Sequence, residues 1–131
     1  MELDLSGNSL KSEGLAALSH AVMGNTTLET LLLADNGIGG SAPAENKAAM
    51  EALGNVLMAP PEVCKVCRLD MEMNTLAEED ASVLAAFLGP ENTKVVSFKV
   101  DSSLPGELFD KLFRAESKGK KGKKGKKKKK K

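Results

Sequence analysis

The chain has 131 residues, enough for one domain with or without a tail, and 41% of them are hydrophobic, so a packed core can form. Four Phe with no Tyr or Trp argue against an aromatic paratope or a base-stacking platform, and two Cys exclude a disulfide scaffold. The net charge of +1 hides a division: residues 118–131 hold eleven Lys and three Gly, leaving eight bases against 18 acids elsewhere, so a body of −10 precedes a tail of +11.

The first element is read from Leu3-x-Leu5, whose alternation predicts a short strand with both leucines facing a core. Asn8 follows three residues after Leu5 and Leu10 two residues later; a buried Asn there satisfies backbone groups that a turn leaves unpaired. Residues 12–23 then place Leu15, Leu18 and Val22 on one helical face, and Gly24-Asn25 stops the helix. The same frame returns at Leu28, Leu31, Leu33, Asn36 and Ile38. A second helix is predicted over 43–58, opened by Pro43, carrying Met50, Leu53 and Leu57, and stopped by Pro60-Pro61. Val66, Leu69, Met71, Asn74 and Leu76 make the third frame, followed by a helix over 76–88. That helix carries Asp80, Val83, Leu84, Phe87 and Leu88; Thr75-x-x-Glu78 reads as its capping box and Gly89-Pro90 as its stop. The fourth frame is Val95, Phe98 and Val100, with Ser103 in the Asn position and a helix over 105–114 bearing Leu108, Phe109, Leu112 and Phe113.

Equivalent residues Leu5, Leu33, Met71 and Val100 are separated by 28, 38 and 29 residues, so one strand–turn–helix unit is repeated four times. The second unit carries ten extra residues, seven between Asn36 and Leu53 and three around Pro60-Pro61. Within the first of these, Gly39–Pro43 reads either as a second contact site or as slack, and its small residues favour slack.

The frame Leu3-Asp4-Leu5-Ser6-Gly7-Asn8-Ser9-Leu10, with Gly14, Leu18 and Val22 and its return from Leu28, resembles the leucine-rich repeat family, and within it the ribonuclease-inhibitor-like class with long helical repeats. The resemblance implies an α/β leucine-rich repeat solenoid of about four repeats over residues 1–115. Short parallel strands would line its concave side and helices its convex side, followed by a disordered lysine-rich tail over 116–131. It also implies that the side before Leu3 lacks a cap and needs a longer array, an oligomer or a partner to cover it. The fourth unit is expected to act as the opposite cap through Phe98, Phe109 and Phe113.

In this family the strand residues that point away from the core usually bind. Across the strands these form the rows Glu2, Thr30, Arg68, Ser97; Asp4, Leu32, Asp70, Lys99; and Ser6, Ala34, Glu72, Asp101. Five acids and two bases make this face acidic, and Leu32 is its only large apolar residue. Asp4, Leu32, Arg68, Asp70, Glu72, Lys99 and Asp101 are therefore the candidate protein-binding residues, for a basic segment of a partner. The competing reading is a solvated strand face on an acidic protein.

The tail has no apolar residue and repels itself, so it cannot fold alone. Lys118, Lys120, Lys121, Lys123, Lys124, Lys126, Lys127 and Lys128 are candidate polyanion-binding residues. Their targets would be nucleic acid phosphates, acidic protein tails, an anionic membrane surface or the chain's own acidic body. Without Arg or aromatics, sequence-specific recognition of nucleic acid is not expected of the tail. A solubilising role or a nuclear localisation signal fits the same composition.

Other features carry no site. Cys64-Lys65-Val66-Cys67 is a lone C-x-x-C without the second ligand pair that structural zinc needs, and core packing is the expected role of both cysteines. His20 is the single His and is expected on the surface, so no catalytic constellation can be drawn around it. Glu78-Glu79-Asp80 suits the first turn of a helix. No phosphate-binding glycine pattern occurs, and only Arg68 and Arg114 are available for arginine-assisted phosphoryl transfer of the kind Ran GTPase-activating proteins of similar repeat type would suggest. No catalytic residue, cofactor, metal or small-molecule substrate is expected.

The expected function is a non-enzymatic protein-interaction scaffold tethered by its tail to a polyanion. The alternatives are a cytoskeletal or axonemal component resembling tropomodulin or flagellar leucine-rich repeat proteins, and nonspecific nucleic acid binding through the tail. No apolar run reaches the ~18 residues of a membrane span, and Met1-Glu2-Leu3-Asp4 does not open a signal peptide. The expected location is the cytoplasm, with the cytoskeleton or nucleus as variants.

Overall fold

The computed structural model describes residues 1–40 and 43–115. The expectations placed on the lysine tail therefore lie outside the described residues, as do Ser41 and Ala42 of the insertion. Strands and helices alternate: β1 (Glu2–Asp4), α1 (Lys11–Val22), β2 (Thr30–Leu32), α2 (Pro43–Met58), β3 (Arg68–Asp70), α3 (Glu78–Ala85), β4 (Ser97–Lys99) and α4 (Gly106–Leu112). The four strands form one parallel sheet in the order β1-β2-β3-β4. Leu3, Leu31, Leu69 and Phe98 share a register position, one residue per unit, as the three-and-two spacing requires.

One side of the sheet is the core. Leu31, Leu33, Leu69, Met71, Phe98 and Val100 are buried, and the helices close over them with Leu15, Met50, Leu53, Leu57, Leu84 and Leu112. Adjacent helices pack in chain order, α1 on α2, α2 on α3 and α3 on α4, so each unit buries its apolar face against its neighbours.

The turns after the strands are built by asparagines in series. Asn36 is fully buried; its Oδ1 accepts the N–H groups of Asn8 (2.8 Å) and Leu10 (3.3 Å) in the unit before it. Its Nδ2 donates to the carbonyls of Leu5 (2.9 Å) and Ala34 (3.3 Å). Asn74 repeats the arrangement one unit later, accepting from Asn36 N–H (2.8 Å) and Ile38 N–H (3.1 Å) and donating to Leu33 and Met71 carbonyls at 3.0 Å. The residue before each of these asparagines turns left-handed: Gly7 at φ 75°, Asp35 at 56° and Met73 at 61°. Gly and Asp visit this region readily, whereas Met73 does so at a steric cost. In the fourth unit Ser103 holds the turn position in place of Asn, and Asp101 takes part of the work by accepting the Met73 N–H at 2.9 Å.

Several sequence expectations are corrected. The third helix is shorter than 76–88, because Phe87 and Leu88 donate to Leu84 and Ala85 three residues back and so tighten into a turn. Its cap is not Thr75 with Glu78. The helix begins after Ala77, whose N–H is accepted by the buried Asp80 carboxylate at 2.9 Å, while Thr75 Oγ1 donates to Ile38 O. The fourth helix ends at Leu112, since Phe113 is already extended. The described part of the insertion is not slack. Gly39 is bridged to Thr75 at φ 103°, and a Cβ there would lie 2.3 Å from Thr75 O. Asn46 Nδ2 holds Gly40 O at 3.1 Å, and Asn46 Oδ1 accepts from Ser12 Oγ, which itself accepts the Gly39 N–H.

The C-terminal edge closes differently from expectation. Phe98 is buried and Phe109 half-buried, but Phe113 is 38% exposed and stacks on Phe109 with ring centroids 5.0 Å apart. Closure comes from Arg114. Its backbone pairs antiparallel with Phe98, and its guanidinium donates to the carbonyls of Leu88, Gly89, Asn92 and Val95. Lys94 does the equivalent for α2, its ammonium reaching Val56 O and Ala59 O at 2.8 Å and Cys64 O at 3.1 Å. Asn92 Nδ2 takes Leu57 O at 3.1 Å. Carbonyls at the ends of α2 and α3 thus receive cationic donors from further along the chain, where the helix dipole favours positive charge. Burial pushes the Lys94 ammonium below the usual lysine range, opposed by Cys64 and Cys67 beside it.

Candidate protein-binding face

The side of the sheet away from the core is open. Glu2, Thr30, Arg68 and Ser97 stand in one row and Asp4, Leu32, Asp70 and Lys99 in the next, in the register read from the sequence. The third row, Ser6, Ala34, Glu72 and Asp101, lies just past the strand ends, where Gly7 N–H still reaches Ala34 O and Asp35 N–H reaches Glu72 O. These backbone bonds keep the row in step with the strands.

The face is organised by strand as well as by row. β1 carries Glu2 and Asp4, both exposed. β2 and the residue two beyond it form an uncharged strip, Thr30, Leu32 and Ala34, all half-buried. β3 and β4 mix signs: Arg68 lies 3.5 Å from Glu29, Lys99 is exposed, and Asp70, Glu72 and Asp101 are half-buried. Between β2, β3 and β4 is a shallow depression of about 190 Å³ lined by Thr30, Leu32, Arg68, Asp70, Ser97 and Lys99 with Leu69 at its floor.

Three of the candidate acids have backbone work. Asp4 Oδ1 accepts the Ser6 N–H at 3.0 Å, and Asp70 Oδ1 accepts the Glu72 N–H at 3.0 Å, the same turn in two units. Asp101 accepts from Met73 N–H with both oxygens, at 2.9 and 3.1 Å. The Ser6 N–H, and next its hydroxyl, hold the Asp4 carboxyl below the usual carboxylate range. A carboxylate retains lone pairs after one such bond, so these acids still present charge to the open side. Their presence is nevertheless explained in part by the turns they stabilise.

The structure brings Asp4, Leu32, Arg68, Asp70, Glu72, Lys99 and Asp101 onto one surface. Sequence reasoning missed Lys94, Asn92 and Arg114, which tie the helix ends together behind it. A signal existed: Asn25-Thr26-Thr27-Leu28 and Asn92-Thr93-Lys94-Val95 share a pattern, and both asparagines use Oδ1 to accept the N–H groups two and three residues on.

Elsewhere the described residues hold little chemistry. Cys64 is buried and Cys67 half-buried at the approach to β3, and His20 is exposed on α1. Among the described residues no group of three or more His, Cys, Asp or Glu is placed to hold a metal ion, and no helix is long and apolar enough to cross a membrane.

The family model described as Leucine Rich repeat matches residues 1–19 and again 24–42. Residues 1–19 and 24–42 are therefore similar to leucine-rich repeats. The two matches cover the first two units, and the asparagine series and the strand register extend the same geometry into the third. No curated protein matches the chain.

Proposed function

We propose that this leucine-rich repeat protein is a non-enzymatic scaffold that holds a protein partner on the open face of its sheet, with the lysine run of residues 118–131 tethering the assembly to a polyanion. The observation that carries this reading is the register: four parallel strands present one continuous surface with an uncharged strip, Thr30, Leu32 and Ala34, beside the carboxylates of β1. Such a surface suits a basic segment with an aliphatic residue, the apolar group resting on Leu32 and the cation facing Glu2 and Asp4. Leucine-rich repeat proteins of the ribonuclease-inhibitor-like class usually bind through the corresponding concave face, and the lengths of α1 and α2, 12 and 16 residues, support placing this chain in that class. The tail's eleven lysines favour acidic protein tails or nucleic acid as the tether, through charge alone. An acidic protein tail as the anchor leads to the cytoskeletal variant of this reading, and nucleic acid to the nuclear one.

The test is affinity capture from nuclease-treated lysate at two salt concentrations. It compares the full chain, residues 1–117, and the full chain bearing Glu2→Lys with Leu32→Ser. Proteins retained by residues 1–117 at high salt and lost with the face substitutions support the reading. If all binding disappears with the tail and the face substitutions change nothing, the sheet is a passive carrier.

A further inference from the structure

Residues 113–115 run along the last edge of the sheet. Arg114 is bridged antiparallel to Phe98, its N–H donating to Phe98 O at 3.0 Å and its carbonyl accepting the Phe98 N–H at 2.9 Å. The Arg114 guanidinium turns to the carbonyls of Leu88, Gly89, Asn92 and Val95, on the side of the buried Phe98. By the alternation of an extended chain, the exposed Ala115 faces the open side of the sheet. Glu116 and the eleven lysines of residues 118–131 therefore start from the β4 border of the open face.

Charge on that face is ordered from the same border. Lys99 stands on β4, Asp70 and then Glu72 on β3 and its continuation, the uncharged Leu32 on β2, and Asp4 on β1. The second and third rows set Asp4, Asp70, Glu72 and Asp101 against Lys99 alone, while the first row balances Glu2 with Arg68. The chain leaving this border offers an acid first, Glu116, and cations from Lys118 onward, which is the complementary order. Strands lie about 4.8 Å apart, so the path from Arg114 to β1 is about 19 Å, and about six extended residues cover it. Residues 116–131 have length to spare. On the helix side, Glu13, Glu45, Glu78, Glu79 and Glu107 sit in first turns, where the helix dipole already answers them.

We propose that residues 118–131 dock across the open face of the sheet in their own chain, lysines over the carboxylates of β3 and β1, and so cover the surface that takes a partner. The consequence for a partner rests on the reading of this face given under the proposed function. A tethered segment acts at an effective concentration on the order of millimolar, so a basic partner segment has to displace it. A polyanion that takes the lysines uncovers the face. Tethering and partner binding are then coupled, each favouring the other by the same factor. The contact is between exposed charges without apolar anchors, so it weakens as salt rises.

The test compares amide NMR spectra of the full chain with those of a chain of equal length in which all eleven lysines of residues 118–131 are changed to Ser. At about 10 mM salt the amides of Leu32, Asp70, Glu72, Lys99 and Asp101 should differ between the two chains, and the differences should vanish at about 1 M. Asp70→Asn with Glu72→Gln in the full chain should reduce them, and added poly-glutamate should return the full chain's amides to the positions of the serine chain. A synthetic Lys-Lys-Leu-Lys-Lys peptide should bind the serine chain about fivefold more tightly than the full chain, as a face about four-fifths occupied requires. Unchanged face amides, or changes confined to helix acids such as Glu78 and Glu107, overturn the proposal. So do differences that grow with protein concentration, since the tail then reaches a second copy. Face amides that respond to the lysines while the peptide binds neither chain support the dock and refute the partner reading instead.

Discussion

Replacing Asn36 with Ala tests the asparagine series directly. The side chain makes four hydrogen bonds and is fully buried. They are not equal. Leu5 O keeps a second donor, Asn8 Nδ2 at 2.8 Å, when Asn36 is removed. The bonds at 3.3 Å to Leu10 N–H and from Nδ2 to Ala34 O are long and weak. The principal loss is the 2.8 Å bond from Asn8 N–H, with Leu10 N–H and Ala34 O left poorly served. Orphaning one buried group costs about 1–3 kcal/mol, and water reaches the exposed Asn8 more easily than the half-buried Leu10. The expected loss is about 2 kcal/mol, a sizeable part of the ~5–15 kcal/mol that holds a domain together. Asn8→Ala is the internal control: an exposed side chain whose two acceptors water can satisfy, expected to cost about 0.5 kcal/mol. With no Trp or Tyr in the chain, urea unfolding is followed by far-ultraviolet circular dichroism rather than intrinsic fluorescence. If Asn8→Ala costs as much as Asn36→Ala, burial of the bonds does not govern their worth and the reasoning fails.

Met73→Gly should raise stability by about 1 kcal/mol, because the exposed Met holds φ 61° against its steric preference; an unchanged urea midpoint would count against strain at that turn. Gly54→Ala should destabilise by about 1–3 kcal/mol even though Ala is the better helix former, since its Cβ would lie 2.2 Å from the Phe87 ring. Phe87→Leu in the same chain should recover part of that loss, and a purely additive pair would contradict the steric account. Asp4 should titrate below an ordinary aspartate, its folded-state preference being for the carboxylate that accepts from Ser6. Its contribution to stability is therefore present above the unfolded pKa and lost as pH falls through the lower, folded one. NMR titration of Asp4 with and without Ser6→Ala should show the shift shrink but persist, since the backbone N–H is the larger cause.

The strand frame was legible because it rests on local chemistry. Leu28, Leu31 and Leu33 place two alternating residues inward, and Asn36 three residues on fixes the turn; from offsets of 28, 38 and 29 the rows of the open face follow, and the observed pairing of Glu2, Thr30, Arg68 and Ser97 agrees. What escaped depends on partners far along the chain. Lys94 reaches α2 across 35 residues from Ala59, and nothing in the local pattern separates it from a solvated lysine. The constraint on Gly39 comes from Thr75 O in the next unit. Met73 concealed the left-handed position that Gly7 and Asp35 advertise, because its residue type contradicts its backbone. On the open face, the acids were read as charge for a partner. Asp4 and Asp70 also hold the turns at Ser6 and Glu72, a duty visible only once the backbone is placed.

The bonds from Lys94 and Arg114 give the chain a direction in time. During synthesis the polypeptide emerges from its amino end, and local units begin to fold as they appear. The end of α2 at Met58 cannot be completed until Lys94 has emerged, 36 residues later, and the end of α3 at Ala85 waits for Arg114, 29 residues later. A nascent chain halted between these points carries a finished sheet strand beside a helix with bare carbonyls. The second and third units are thus kept provisional until their successors leave the ribosome.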